Sequence, residues 1–197
     1  MKLIENGIDI PNKLLRDHED GRVVFFCGAG VSKNGANKPN FLKLAKIIVD
    51  KLTSSPESQS KMYLEKLENC LKIEGFNGII PIDHLFSLLE GEFERQDIEE
   101  VIYNELRVKD SDKLESHQTI LKLATTSEEK VQLVTTNFDK LFSEADGNLK
   151  VYSHANIVNI EENLDGIVHL HGCLDDKKDH NLVLSSRDFA KAYMTDA

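Results

Sequence analysis

Three polar clusters follow apolar runs in this sequence and carry residue types suited to chemistry on a phosphorylated sugar. Residues 28–32 read Gly-Ala-Gly-Val-Ser, residues 135–139 read Thr-Thr-Asn-Phe-Asp, and residues 169–172 read His-Leu-His-Gly. Glycines let a backbone approach a pyrophosphate closely, and the N–H groups that open a helix favour its negative charge. An Asn, an Asp and a His can orient a water or a ribose hydroxyl and accept a proton, which cleavage of a glycosidic bond requires.

The apolar pattern predicts an α/β fold with a doubly wound, mainly parallel sheet that brings these clusters together. Strands are expected at residues 22–27, 131–135, 149–152, 166–170 and 182–184. The first strand is apolar on both faces, which predicts that helices cover both sides of it. Ligands of such sheets bind beyond the carboxyl ends of the strands, where the three clusters lie.

Residues 54–126 are predicted to form a helical insertion after the first strand, within a single domain that spans residues 1–197. Residues 34–40 are interpreted as a polar loop before a helix that starts at Phe41. The insertion carries two apolar helix faces, one behind a helix cap at Asp97: Ile98, Val101, Ile102 and Leu106, then Leu114, His117, Leu121 and Ala124. His117 is interpreted as a core histidine, and the acidic residues at 92–94 and 97–100 as solvated helix faces.

Composition narrows the classes of function. The formal net charge is −10 and Lys and Arg do not form runs, which disfavours direct binding to nucleic acid or an anionic membrane. No apolar segment approaches the eighteen residues of a membrane span, and a signal-peptide pattern is missing, so a cytoplasmic protein is expected. Three cysteines without Cys-x-x-Cys spacing indicate buried thiols rather than disulfides or a zinc site.

Other nucleotide-binding motifs do not fit residues 28–36. Lys33 occupies the position of the third glycine of a dehydrogenase fingerprint, and Asp50 lies on a helical pattern rather than at a strand end. Gly35 precedes Ala36, which excludes a Walker A loop.

Each cluster residue also has a structural interpretation. Gly28 and Gly30 would suit a tight turn, and Asp139 would suit a cap for a helix over residues 140–145. Asn137 would suit a turn, and a single histidine beside glycine, such as His171, would suit a structural role. His169 points to the opposite strand face from its neighbours and is predicted to pack or to lie at the surface.

Taken in order, the three clusters and the Arg-Asp-Phe-Ala-Lys-Ala-Tyr segment at residues 187–193 resemble the sirtuin-like NADase domain of bacterial anti-phage defence proteins, such as the Thoeris effector. The resemblance covers nearly the whole chain and implies a Rossmann-like, sirtuin-like fold. It implies cleavage of NAD at the nicotinamide–ribose bond, with Asn137 and His171 as catalytic residues. The cofactor-binding residues that it implies are Gly28, Ala29, Gly30 and Ser32 at the pyrophosphate side, Asp139 at the nicotinamide pocket, and Phe41 and Thr136.

The sequence departs from protein-deacylating sirtuins in two places. Asn40 and Leu42 replace the Asp and Arg of the Pro-Asp-Phe-Arg cofactor loop, and Cys173 alone follows the His-Gly motif where that group carries a four-cysteine zinc module. Water is therefore favoured over acyl-lysine as the acceptor. The glycine-aromatic-Ser-x-x-Asp motif that completes the adenosine site in the defence branch is not reached by Ala197, so the domain is expected to be truncated before its last strands.

The resulting hypothesis is an NAD hydrolase that releases nicotinamide and ADP-ribose as the effector of an abortive-infection defence system. NAD is the substrate and no metal is required. Asn137 would orient the water or a ribose hydroxyl, and His171 would act as base because the ordinary pKa of histidine is about 6.5. A homo-oligomer, or a complex with a sensor subunit or domain, is expected. The alternatives are a non-catalytic module that senses NAD or ADP-ribose and, more weakly, an NAD-dependent protein deacylase.

Overall fold

A computed structural model describes residues 7, 9–73, 81–153, 164–174 and 181–194. Four parallel strands form one sheet in the order β1-β2-β4-β3. The strands are β1 (Phe25–Cys27), β2 (Gln132–Thr135), β3 (Val151–Ser153) and β4 (Gly166–His169). The registers align Phe25 with Leu133, Leu133 with Ile167, and Ile167 with Val151. This arrangement confirms the predicted α/β fold with a parallel sheet.

The helices of the described residues lie mostly between β1 and β2. They are α1 (Asn12–Glu19), α2 (Ala29–Ala36), α3 (Phe41–Leu52), α4 (Gln59–Leu71), α5 (Ile82–Glu92), α6 (Arg95–Leu106), α7 (Glu115–Ala124), α8 (Leu141–Ala145) and α9 (Ser186–Met194). Helix α7 contacts α2, α8 and β2, whereas α3 contacts α4, α5 and α6. One group of helices therefore packs near the sheet and another forms a separate layer.

Two apolar clusters hold these layers together. The sheet cluster consists of Cys27, Leu121, Ala124, Leu133, Phe142 and Ile167. The larger helical cluster is built by buried side chains of α3 to α6, and Phe138, Leu174, Leu182 and Leu184 join it from the loops that follow β2 and β4. Burial of these side chains supplies the main driving force for folding. It also fixes the loops that follow β2 and β4, because their side chains are part of the helical cluster.

Two strand predictions were wrong. Residues 182–184 form no strand: their side chains are buried, Leu182 and Leu184 in the helical cluster, and the Val183 N–H donates to the His171 carbonyl at 2.9 Å. A short apolar run predicts burial but not a strand partner. The first strand starts at Phe25, three residues later than predicted, and Phe26 on it is 66% exposed. Helices of the described residues therefore do not cover both faces of β1.

Helix α2 runs through part of the predicted polar loop. It ends at Ala36, and Asn37 takes the left-handed conformation with φ of 51°, a role that Asn tolerates well. Gly35 lets α2 approach the segment before α7 closely, because a Cβ at this position would lie 2.9 Å from the Lys113 carbonyl oxygen. Tertiary packing thus outweighs the weak helix propensity of Asn and Gly here.

The acidic residues near α5 and α6 are not all solvated. Glu92, at the end of α5, accepts hydrogen bonds from the Ser58 and Ser60 hydroxyls, each at 2.7 Å, at the start of α4. It also accepts from the Gln59 N–H at 2.5 Å, one of the N–H groups that a helix leaves without an internal partner. The predicted cap at Asp97 was also wrong, because α6 begins at Arg95 and Asp97 lies within its first turn.

Candidate functional site

A cavity of about 180 Å³ is lined by residues that come directly after β1, β2 and β4. These are the carboxyl ends of parallel strands, which meet at one edge of the sheet. The remaining lining comes from Pro39, which precedes α3, from α3 and α6, and from α9. The lining residues are Ala29, Ser32, Pro39, Phe41, Leu44, Leu106, Thr136, Asn137, Phe138, Asp139, His171 and Phe189.

The structure brings together seven of the nine residues that the sequence suggested. They are Ala29, Ser32, Phe41, Thr136, Asn137, Asp139 and His171. Gly28 and Gly30 are not part of the lining. Gly28 is the N-cap of α2 with φ of −122°, and Gly30 is exposed, with no atom within 4 Å of a Cβ built on it. A left-handed turn therefore does not explain either glycine.

Asn137 is held by its side chain and by its main chain. Its Nδ2 donates to the Ser32 hydroxyl at 3.0 Å and to the Gly28 carbonyl at 3.3 Å. Its backbone N–H donates to the Thr135 hydroxyl at 3.1 Å, and its carbonyl accepts from Nδ1 of His169 at 2.8 Å. Among the described residues nothing bonds Oδ1 of Asn137, so this acceptor is the part of the amide that is available to a ligand.

Ser32 connects several buried polar groups. Its hydroxyl lies 3.4 Å from Nε2 of His117 and accepts from Nδ2 of Asn137, and it acts to lower the pKa of the Asp139 carboxyl. His117 is completely buried, as a core histidine should be, and packs edge-on against Phe142 at 4.8 Å. Burial lowers the pKa of His117, which keeps its ring neutral. The apolar spacing in the sequence predicted that His117 is buried, but it did not predict the contact between His117 and Ser32.

Asp139 both faces the cavity and supports the next helix. It is 3% exposed, and it accepts the backbone N–H of Leu141 at 3.2 Å at the start of α8. Burial raises the pKa of Asp139, and the hydrogen bonds from Ser32 and Leu141 and the nearby charge of Lys38 oppose that rise. The capping interpretation and the pocket interpretation therefore apply to the same side chain.

Lys38 places a buried positive charge next to this part of the site. Its ammonium lies 2.7 Å from the carboxylate of Asp112 and 2.7 Å from the Arg107 carbonyl oxygen. Both side chains of the ion pair are at most 5% exposed. A buried charge of this kind needs a partner with good geometry, and the pair fixes the chain just before Pro39 and Phe41 of the lining.

His171 lies among aromatic rings. Its ring centroid is 5.1 Å from that of Phe189, 6.3 Å from that of Tyr193 and 6.5 Å from that of Phe138. Phe138 and Phe189 line the cavity but were not predicted as site residues. Phe189 could have been predicted from the aromatic residues of segment 187–193. Phe138 could have been predicted from its position between Asn137 and Asp139.

An arginine outside the cavity holds α9 in place. Arg95 donates to Asp188 at 2.8 Å and to the Leu182 carbonyl at 2.5 Å, and it also bonds Glu90 and Glu99. Burial acts to lower the pKa of Arg95, but the bonds to its carboxylate partners outweigh it and raise that pKa. The packing of Phe189 against His171 therefore depends on ionic contacts between α9, α5 and α6.

Within the described part of the chain, no group of three or more His, Cys, Asp or Glu side chains is placed to hold a metal ion. In the same part, every helix is too short or too polar to cross a membrane. The three cysteines are free thiols, of which Cys27 is buried and the other two are partly exposed.

The parallel sheet, the helical layers and a cavity at the strand ends are consistent with a sirtuin-like, Rossmann-like α/β fold. Residues 131–197 match a family model described as a SIR2-like domain. This range includes Asn137, His171 and α9 but not residues 28–32. SIR2-like domains are commonly NAD-processing enzymes, so the match supports a sirtuin-like domain that is related to NAD.

The chain is also similar to a particular bacterial protein, the uncharacterized protein y4cA of Sinorhizobium fredii. The two are 27% identical over an alignment of 213 residues, which covers 98% of this chain and 16% of that protein. The chain thus spans about one sixth of the length of this relative.

Proposed function

We propose that the chain hydrolyses NAD at the nicotinamide–ribose bond and releases nicotinamide and ADP-ribose. One observation carries the proposal: residues from three separate segments, 29–32, 136–139 and 171, line one cavity. Asn137 is fixed there by the Ser32 hydroxyl and the Gly28 carbonyl. The SIR2-like match over residues 131–197 adds the relation to NAD.

The size of the cavity suggests how the substrate lies. About 180 Å³ is less than the roughly 300–1,000 Å³ of pockets that enclose a whole drug-sized ligand. The nicotinamide and its ribose would enter the cavity, and the pyrophosphate would lie over the start of α2. The N-cap Gly28 has no side chain to cap this helix. The Val31 N–H bonds to the Gly28 carbonyl at 3.2 Å, so the N–H groups of Ala29 and Gly30 are the ones that would face an anion. The open space at Gly30 permits close approach.

The reaction breaks the bond between the anomeric carbon and the pyridinium nitrogen. The electron pair leaves with nicotinamide, which becomes neutral, and positive charge develops on the ribose. Oδ1 of Asn137 accepts a hydrogen bond from the attacking water or from a ribose hydroxyl and so fixes its position. The water oxygen bonds the anomeric carbon, and His171 accepts the proton that the water loses.

The buried groups around Asn137 serve to keep this geometry. Ser32 orients the amide so that its oxygen, rather than its nitrogen, is available. Asp139, whose pKa burial raises, adds a carboxyl group beside the site of nicotinamide without a fully exposed negative charge. Phe189 and Tyr193 limit the freedom of the His171 ring.

The biological part of the proposal follows the resemblance stated above. We propose that the domain acts in the cytoplasm as the effector of an anti-phage defence system and depletes NAD in the infected cell. Such an activity needs control, so a homo-oligomer or a sensor subunit or domain would regulate it. The relative in Sinorhizobium fredii is about six times longer than the matched region, which leaves ample length for parts of that kind.

Nicotinamide and ADP-ribose release from NAD by the purified chain tests the enzymatic proposal. Asn137→Ala and His171→Ala should each lower the rate at least about a hundredfold, the usual contribution of a positioned acid–base group. Asn148→Ala and His84→Ala, at exposed positions outside the cavity, are matched controls and should keep the parent rate.

Other results would select a different function. Binding of intact NAD in calorimetry without product release would favour a sensing module. Transfer of an acyl group from an acyl-lysine peptide to ADP-ribose would favour a deacylase. Parent rates in both site variants would refute the assignment of Asn137 and His171.

A further inference from the structure

His169 is the polar residue at the end of a strand whose residues are all buried. It is the last residue of β4, where Gly166, Ile167 and Val168 are all buried, and its own side chain is completely buried. Its Cα pairs with Thr135 of β2 and Ser153 of β3. Burial of an imidazole ring costs free energy that burial of an apolar side chain of similar size would not. The presence of a histidine at this position therefore needs an explanation.

The polar contact is a bond to the candidate catalytic segment. Nδ1 of His169 lies 2.8 Å from the carbonyl oxygen of Asn137. A carbonyl only accepts hydrogen bonds, so Nδ1 must carry the proton. A neutral ring then has an unprotonated Nε2, and among the described residues Nε2 has no hydrogen-bonding partner. Within the described residues, the ring therefore makes its hydrogen bond through Nδ1 alone, to the Asn137 carbonyl.

This bond holds the carbonyl of Asn137, to which no other hydrogen bond is made within the described part of the chain. Ser32 and Gly28 fix the side-chain amide, and Thr135 fixes the backbone N–H. The carbonyl belongs to the peptide that joins Asn137 to Phe138, and both of these residues line the cavity. A rotation of that peptide would move the amide oxygen and the Phe138 ring together.

We propose that His169 is a positioning residue for the proposed NAD hydrolysis: by donating from Nδ1 to the Asn137 carbonyl it fixes the peptide that aims the Asn137 side chain at the substrate. This inference rests on the proposed function. The role differs from that of His171, which lines the cavity itself.

Two substitutions separate this role from packing. His169→Leu keeps the volume and removes the donor, and His169→Asn places an amide donor near the position of Nδ1. We expect kcat for nicotinamide release to fall about tenfold or more in the Leu variant, the effect of losing one well-placed hydrogen bond in the transition state. KM for NAD should change less than about threefold, and the Asn variant should recover most of kcat.

The outcomes that would overturn the proposal are equally specific. A folded Leu variant with the parent kcat would do so, and so would Leu and Asn variants that lose kcat equally. Equal losses would indicate that the imidazole ring itself matters and not the donor at the position of Nδ1. Should the Leu variant not fold, the Asn variant and the spectroscopic measurement below still decide.

A measurement without turnover distinguishes failure of this proposal from failure of the proposed function. Long-range ¹H–¹⁵N spectra of the parent should show His169 protonated at Nδ1, and His169→Asn should leave the carbonyl ¹³C shift of Asn137 closer to the parent than any donor-free variant does. A His169 ring protonated at Nε2 instead would overturn the bond even in an active enzyme. An inactive parent with the expected spectra would overturn only the hydrolase.

Discussion

Lowering the pH from 7.5 to 4.5 should destabilise the parent chain more than a variant that lacks His169. Burial lowers the pKa of His169 from the ordinary value of 6.5 to about 4, against a smaller opposing effect of its bond to Asn137. Between these two values the unfolded chain binds a proton that the folded chain does not. The free energy of unfolding therefore falls as the pH falls.

The size of the effect follows from the two pKa values. The contribution of neutral His169 is fully present above pH 6.5 and is lost as the pH falls toward the folded pKa of about 4. The slope is about 1.4 kcal/mol per pH unit, which gives about 2.5 kcal/mol between pH 7.5 and 4.5. This is a substantial part of the roughly 5–15 kcal/mol that stabilises a typical domain.

Urea unfolding of the parent and His169→Asn at pH 7.5, 6.5, 5.5 and 4.5 measures this contribution. The sequence contains no tryptophan, so circular dichroism at 222 nm is a suitable signal. Carboxylates and the other histidines titrate in both proteins, and their effects largely cancel in the difference. A difference that stays constant within about 0.5 kcal/mol over this range would refute the reasoning, because it would mean that His169 titrates alike in both states.

Three further substitutions test other parts of the structure. Gly30→Ala should keep or raise the melting temperature, because its Cβ meets no atom within 4 Å and Ala favours helix. The same substitution should slow NAD cleavage, because the added methyl group would lie where the pyrophosphate is proposed to bind. Unchanged kinetics would contradict that placement of the pyrophosphate. Gly35→Ala should destabilise the fold by about 1–3 kcal/mol in urea, because its Cβ would lie 2.9 Å from the Lys113 carbonyl. For Glu92→Gln, a loss of about 1–2 kcal/mol is expected at pH 7. Burial acts to raise the pKa of Glu92 but its hydrogen bonds lower it overall, so this stabilisation is lost as the pH falls through the folded pKa and parent and variant should converge in acid.

The order and type of the main elements were predictable because their patterns are local. Alternating or continuous apolar residues marked β2 and β4, and the spacing of Ile98, Val101, Ile102 and Leu106 marked the buried face of α6. Residues 182–184 show the limit of this approach. Their apolar character indicated burial, but whether such a run pairs with a strand or packs on helices is decided by parts of the chain far away in sequence.

The candidate site was predictable in its residues more than in its contacts. Asn137, Asp139 and His171 follow strands, and the topology of parallel sheets brings such positions together. The sequence could not reveal that His169 reaches the Asn137 carbonyl, because alternation along a strand assigns a face but not a partner. Phe189 was missed for a related reason, since its place in the lining depends on the distant contact between Arg95 and Asp188.

The bond between Asn137 and Ser32 joins residues that are 105 positions apart. Most of the helices lie between these two residues, and helices form from contacts that are close in sequence. The site instead depends on closing a long loop, which the pairing of β1 with β2 accomplishes. Helical content is consequently a poor indicator of an intact site. A chain that lost the β1–β2 pairing would keep much of its circular dichroism signal, but Ser32 would no longer hold the side chain of Asn137 in place.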